Sequence, residues 1–226
     1  MAVALSVMTP ELRIELPNII TPVLNAAIFR VTRTFFWESE IWKYTYDNGL
    51  DWTLNQLALE SPTPGTDIPA KCIVKRVDTV MYDAAGTSWD DEIPFKTRDE
   101  LDRSNPDWYT EVGSTPLAWT HGNDGAALIV PQVAATVTTS LLVRAVIAPV
   151  FTDIADTLPD FLYYENEETI KAGVLAQLMK QPGKDWSEPR AAQFYGQAYM
   201  AGVLKAKSRG QADFGQPTGT MAYGGI

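Results

Sequence analysis

The clearest hydrophobic pattern in the chain runs between residues 158 and 209, where apolar side chains recur at helical spacing on both sides of a Pro-Gly turn. Ile170, Val174, Leu175, Leu178 and Met179 form one apolar stripe, the mark of a core-facing helix. Gln181-Pro182-Gly183 stops it, because proline cannot continue a helix and glycine takes the left-handed cap. Ser187 is the expected N-cap of a second helix, with Pro189 in its first turn, where a missing N–H costs little. That helix is expected to present Ala191, Phe194, Tyr195, Ala198, Gly202 and Ala206 on one side. Ala172 and Ala176 in the first helix, and Ala198 and Gly202 in the second, are small residues four apart that let two backbones approach closely. The pattern predicts an antiparallel helix pair.

Near the N-terminus, Thr21-Pro22 opens a helix over residues 21–36, with Val23, Ala27, Val31 and Phe35 repeating every four residues. Before it, Leu12, Ile14 and Leu16 alternate with charged residues, which predicts a short strand or extended segment. From residue 41 the texture changes to short runs of aromatic and β-branched residues separated by turn signals. Residues 41–46 read as a strand before Asp47-Asn48-Gly49, and an apolar segment at 53–59 ends at the Pro/Gly-rich 61–65. Residues 72–81 form a strong strand, joined by a turn at 84–87 to a second over 89–95. Thr97-Arg98-Asp99-Glu100 fits a capping box and starts a short helix. Two strands at 117–121 and 126–130 flank Gly122-Asn123-Asp124-Gly125, and the long apolar run 137–147 is the expected central strand. The fold class is therefore α+β. Terminal helices (1–40 and the pair at 151–209) form a bundle into which an antiparallel β-sandwich or barrel, 41–150, is inserted. Residues 210–226 are too rich in glycine to support a core of their own and are expected to form an extended C-terminal arm.

Composition narrows the class without deciding the function. The 226 residues are 46% hydrophobic and 20% charged, which is ordinary for a folded protein with a substantial core. No apolar run approaches the roughly 20 residues of a membrane span, so no membrane association is expected. The first residues lack the basic segment of a secretory signal. A single cysteine, Cys72, excludes an internal disulfide. The net charge of −10 argues against a surface that grips nucleic acid throughout, while permitting one that lets DNA slide past.

Candidate chemistry is sparse. His121, the one histidine, lacks a G-x-S-x-G elbow or other nucleophile signature around it and reads as a polar strand-end residue. Cys72 reads as a small buried hydrophobe. Asp90-Asp91-Glu92 is the tightest acidic cluster, but neighbours on a strand point to opposite faces, and no calcium-type loop accompanies them. Asp99, Glu100 and Asp102 belong with the capping signal. No phosphate-cradling or dinucleotide loop and no metal-spaced Cys/His pairs occur, so no enzyme activity, metal or cofactor is expected. Seven tryptophans keep open a second class, a sandwich that stacks its aromatic side chains on glycans.

Three ordered patterns carry a resemblance. The first is Leu59-x-Ser61-Pro62, followed through Val77 by Leu101-Asp102-x-x-x-Pro106-x-Trp108. The second is Gly113-x-x-Pro116-x-x-Trp119, then Leu128-x-Val130-Pro131. The third is Leu158-Pro159 through Ile170, Gly173, Leu175, Leu178, Pro182-Gly183, Trp186 and Tyr195. In this order the chain, up to about Arg209, resembles the head-to-tail adaptor (connector) proteins of short-tailed phages, the tail tubular protein A type. Trp119 departs from that family, which more often has tyrosine there. The resemblance implies a homo-oligomer, a dodecameric ring of the virion below the portal protein that continues the DNA channel and docks the tail nozzle. DNA would pass without specific binding. The arm is then expected to contact a neighbouring subunit or the portal through Phe214, Met221, Tyr223 and Ile226, with Lys205 and Arg209 at its base.

Overall fold

The computed structural model describes residues 2–45, 50–52, 71–83, 91–122, 127–133 and 137–212. The expected segment at 53–59, the turns at 61–65 and 84–87, and residues 213–226 of the arm expected over 210–226 lie outside them; the arm's first residues, 210–212, are helical, not extended. The chain divides into two compact units, Met1–Trp42 with Phe151–Ile226, and Lys43–Val150. The first opens with β1 (Ala2–Ala4), a 3-10 turn at Leu5–Met8, α1 (Thr9–Glu15) and α2 (Thr21–Ser39). The second contains β2 (Lys43–Thr45), β3 (Leu50–Trp52), β4 (Cys72–Tyr82), β5 (Asp91–Glu92), α3 (Arg98–Ser104) and β6 (Val112–Gly113). It continues with β7 (Ala118–His121), β8 (Ala127–Val130), β9 (Gln132–Val133) and β10 (Val137–Pro149). The chain then completes the first unit with β11 (Thr157–Pro159), α4 (Asp160–Met179) and α5 (Pro189–Ala212). The molecule is thus mixed α+β.

In the helical unit, α4 is the central element, packed against α5 and α2. Ile170, Gly173, Val174, Leu175 and Leu178 are all buried, so the helix is covered on more than one side. The α2 stripe is broader than one residue in four: Leu24, Ala27, Ile28, Val31, Phe35 and Phe36 are buried, the pattern of a helix wedged between neighbours. It stops at Glu40, whose φ of 54° is left-handed and whose N–H reaches the Phe36 carbonyl. β1 pairs antiparallel with β11, Val3 opposite Leu158, and ties the N-terminus to the start of α4.

Two expectations for this unit are corrected. The stretch containing Leu12, Ile14 and Leu16 is helical in α1, not extended. Pro10 sits in the first turn, Glu11 favours the positive helix end, and Met8, Leu12 and Leu16 are buried four apart while Ile14 is 80% exposed. In α5 the buried face is rotated from the expected one. Ala192, Val203, Ala206 and Gly210 are buried, Tyr195, Gly196, Tyr199 and Gly202 are half-buried, and Phe194 and Ala198 are exposed. The inner face is made of small residues and tyrosines because α5 lies very close to α4. A β-carbon on Gly202 would come within 2.3 Å of the Thr169 side chain, and one on Gly173 within 2.6 Å of both Tyr199 and Val31. The connection between them uses Gly183 at φ 73°, as the Pro-Gly signal predicts. The helix itself begins at Pro189, and Ser187 lies in the preceding turn, its N–H bonded to the Lys184 carbonyl.

In the strand unit, β10 is the central strand of a five-stranded antiparallel sheet. It pairs with β2, β3 and β4, and β5 continues the sheet beyond β4. From Leu141 to Ala148 every residue of β10 except Arg144 is buried, so both faces of the strand are covered. β7 and β8 form an antiparallel hairpin, Trp119 opposite Ile129. Two described pairings depart from the all-antiparallel expectation: β6 and β9 run parallel, Val112 opposite Gln132, and Phe95 forms an isolated parallel bridge to Trp119. The capping box of α3 is present in both directions. Thr97 Oγ1 accepts the Glu100 N–H at 3.3 Å, and Glu100 Oε2 accepts the Thr97 N–H at 2.8 Å.

Candidate functional site

Several of the residues that could carry chemistry have structural partners. His121 ends β7 in an aromatic cluster, its ring centroid 4.9 Å from Phe95 and 5.4 Å from Trp119, and its carbonyl accepts a hydrogen bond from Arg98. Asp91 and Glu92 occupy β5 opposite Tyr82 and Met81, while Asp90 lies outside the described residues. Glu100 caps α3, and its carboxyl is held below the usual range, chiefly by the Thr97 backbone hydrogen bond. Asp102 accepts the Trp108 indole N–H at 2.7 Å. Among the described residues no group of three or more His, Cys, Asp or Glu side chains could hold a metal ion. No described helix is long and apolar enough to cross a membrane. Of the tryptophans that could stack on a sugar, Trp42 and Trp119 are buried.

Cys72 is 2% exposed, and burial pushes its thiol up to about 12, so it is neither ionised nor accessible at neutral pH. Tyr163 and Tyr199 are likewise raised by burial, Tyr163 also by its hydrogen bond to Glu167. In each case the unfolded chain releases its proton at a lower pH than the folded one, so the folded state loses stability as pH rises. Urea unfolding is expected to show stability falling from about pH 9 upward, by about 1.4 kcal/mol per pH unit for the thiol alone. A maleimide should label Cys72 at pH 7.5 only in denaturant; equal labelling of the native protein contradicts this burial.

Some residues of the first two resemblance patterns touch one another. Leu101, Ala118 and Val130 form a small buried cluster, and Trp108 packs against it. A β-carbon on Gly113 would lie 2.5 Å from Pro131 Cγ, which accounts for glycine at that position. The Val130–Pro131 peptide bond is cis. In the helical unit, Gly173 is the residue against which Tyr199 and Val31 close.

What remains exposed is an apolar surface on the helical unit. Ile14, Phe194, Met200 and Leu204 are between 54% and 80% exposed, an unusual load for one helix pair and its neighbour. A groove of about 420 Å³ runs between α1, α4 and α5, with Ile14, Leu175 and Phe194 as its apolar lining and Glu11, Glu15 and Glu168 at its edge. Lys171 lies in its wall, 8% exposed, in ion pairs with Glu11, with Glu167 at 2.8 Å and with Glu168 at 3.3 Å. Burial opposes its charge, but the hydrogen bonds its ammonium donates to Glu11 and Glu167 prevail and hold its pKa above the usual lysine range. Of the residues expected at the base of the arm, Lys205 is exposed on α5 and Arg209 pairs with Glu165 at 3.1 Å. Phe214, Met221, Tyr223 and Ile226 lie outside the described residues. The groove was missed in the sequence because Phe194 and Ala198 fit a core stripe equally well. The available signal was that apolar residues in α5 spread around the helix instead of keeping to one face.

Compared with models of protein families the chain matches none, and no curated protein matches it.

Proposed function

We propose that the protein is a structural subunit of a virion ring that joins the portal to the tail nozzle of a short-tailed phage and continues its DNA channel. The observation that carries this reading is the mutual packing of the resemblance residues. Leu101, Trp108 and Val130 share one cluster, and Gly113 abuts Pro131. Residues of the first two patterns that meet in close contacts of this kind support the reading. The division of the chain supports it further: a helical unit built from both ends and a strand unit between them suit a bundle carrying an inserted β-sandwich. An assembly role needs surface rather than catalytic groups, and the exposed apolar side chains of α1 and α5 supply surface. The net charge of −10 suits a channel wall along which DNA moves without adhering. On this reading the protein is no enzyme and takes no cofactor, and residues 213–226 serve as the arm that reaches a neighbour or the portal. Co-expression with the portal protein of its own phage tests the proposal. The expected result is co-purification at a fixed stoichiometry; a portal that purifies without this chain counts against it.

A further inference from the structure

We propose that the acid-edged groove between α1, α4 and α5 receives the Met200–Leu204–Lys207 patch of α5 from a second copy of this chain, joining subunits head to tail. The inference deepens the ring reading and rests on it, since it names the surfaces through which the copies meet. At about 100° per residue, Phe194, Tyr195 and Ala198 lie on one flank of α5 and Met200, Leu204 and Lys207 roughly 150° round the axis, on the other side of the buried face. One helix therefore carries two different surfaces facing apart. The groove side offers an apolar floor, Ile14 and Phe194 being 80% and 67% exposed, with Glu15 exposed and in no ion pair among the described residues.

The opposite patch has the matching chemistry. Met200 and Leu204 are 54% and 63% exposed and stand one turn apart, so two flexible apolar side chains can enter the groove together. Lys207 continues the same row, exposed and in no ion pair among the described residues, and would meet Glu15 or Glu168 at the edge. Neither surface matches itself: a second groove would set glutamates against glutamates, and a second patch would set lysine against lysine. The contact is therefore heterologous, and its repetition closes into a ring when the rotation between copies allows. Charge at the edge sets the register of docking, while the apolar residues are excluded from water.

Cysteines at Phe194 and Leu204 test the contact with a short bismaleimide. The Phe194→Cys/Leu204→Cys double variant is expected to give a ladder of linked multimers, while either single variant stays unlinked. A charge reversal at Glu15→Lys is expected to weaken association by about tenfold, and adding Lys207→Glu to restore it. Single variants that dimerise as strongly as the double variant would mean like surfaces meet and would overturn the proposal. A wild-type multimer whose double variant fails to link overturns this contact and leaves the ring reading standing. A linked ladder that never closes keeps the contact and removes the ring. A wild-type protein monomeric at all concentrations, with and without the portal, overturns both.

Discussion

Gly173→Val is expected to destabilise the helical unit strongly, whereas Gly196→Ala, one helix away, is expected to stabilise it. At Gly173 even a β-carbon would sit 2.6 Å from Tyr199 Cδ2 and 2.6 Å from Val31 Cγ1, well inside van der Waals contact. Tyr199 is half-buried and Val31 buried on α2, so relief requires α2, α4 and α5 to separate. Overpacking a formed core costs about 1–3 kcal/mol, and a branched side chain between three helices belongs at the upper end. That is a large fraction of the ~5–15 kcal/mol by which domains of this size are stable. At Gly196 the nearest atom to a new β-carbon is the Ala176 methyl at 4.0 Å, an ordinary contact. Alanine there gains the helix propensity that glycine lacks, about 0.5–1 kcal/mol. Urea unfolding followed by far-UV circular dichroism measures both. Equal effects of the two substitutions would contradict the close approach of α4 and α5.

The second large effect is expected at Lys171, the buried cation that joins α1 to α4. Its ammonium pairs with Glu11 of α1 and with Glu167 and Glu168 of its own helix, and Glu167 also accepts the Tyr163 hydroxyl at 3.0 Å. Removing the lysine leaves carboxylates facing one another without a counter-charge. Loss of one partner from a fully buried pair costs about 3–5 kcal/mol. The Glu11 and Glu168 side chains are 62% and 90% exposed, so water and salt screen most of their share. Lys171→Ala is therefore expected to cost about 2 kcal/mol, and Lys171→Met, which keeps the aliphatic stem, about half of that. Because the remaining defect in Lys171→Met is repulsion, raising the salt concentration should narrow its gap from wild type. The pH dependence has a defined sign. A lysine held above its usual range contributes stability throughout neutral pH and loses it progressively as pH rises from the unfolded lysine's ordinary value through the higher folded one. Urea midpoints at low and high salt measure these effects, and a Lys171→Ala variant as stable as wild type would contradict the network.

What was legible in the sequence followed from local periodicity. α2, the helix pair, β4, β10 and the α3 capping box are each specified by neighbours within a few positions, and the structure has all of them. The failures have a common physical origin in choices made by distant partners. Residues 12–16 fit a strand period and a helix period equally well, and the burial of Leu12 and Leu16 decided for the helix. In α5 the expected row is turned inward at Gly202 and Ala206 but not at Phe194 and Ala198, because the inner face is centred on small residues such as Ala192 and Gly210 that a search for hydrophobic stripes passes over. The parallel β6–β9 pair spans only two residues a side and leaves no periodic trace. Lys171 and Glu11 are 160 positions apart, and nothing local announces their pairing. The exposed apolar surface was illegible for the same reason as the α5 rotation: an exposed Phe194 and a buried one look alike until the helix is set against its partners.

Electron microscopy of the protein co-expressed with the portal protein of the virion proposed for it tests the central claim most directly. The account predicts a closed ring of this chain seated on one face of the portal, with a continuous central channel and twelve-fold symmetry if the resemblance holds in full. A bare portal beside free monomers of this chain would contradict it.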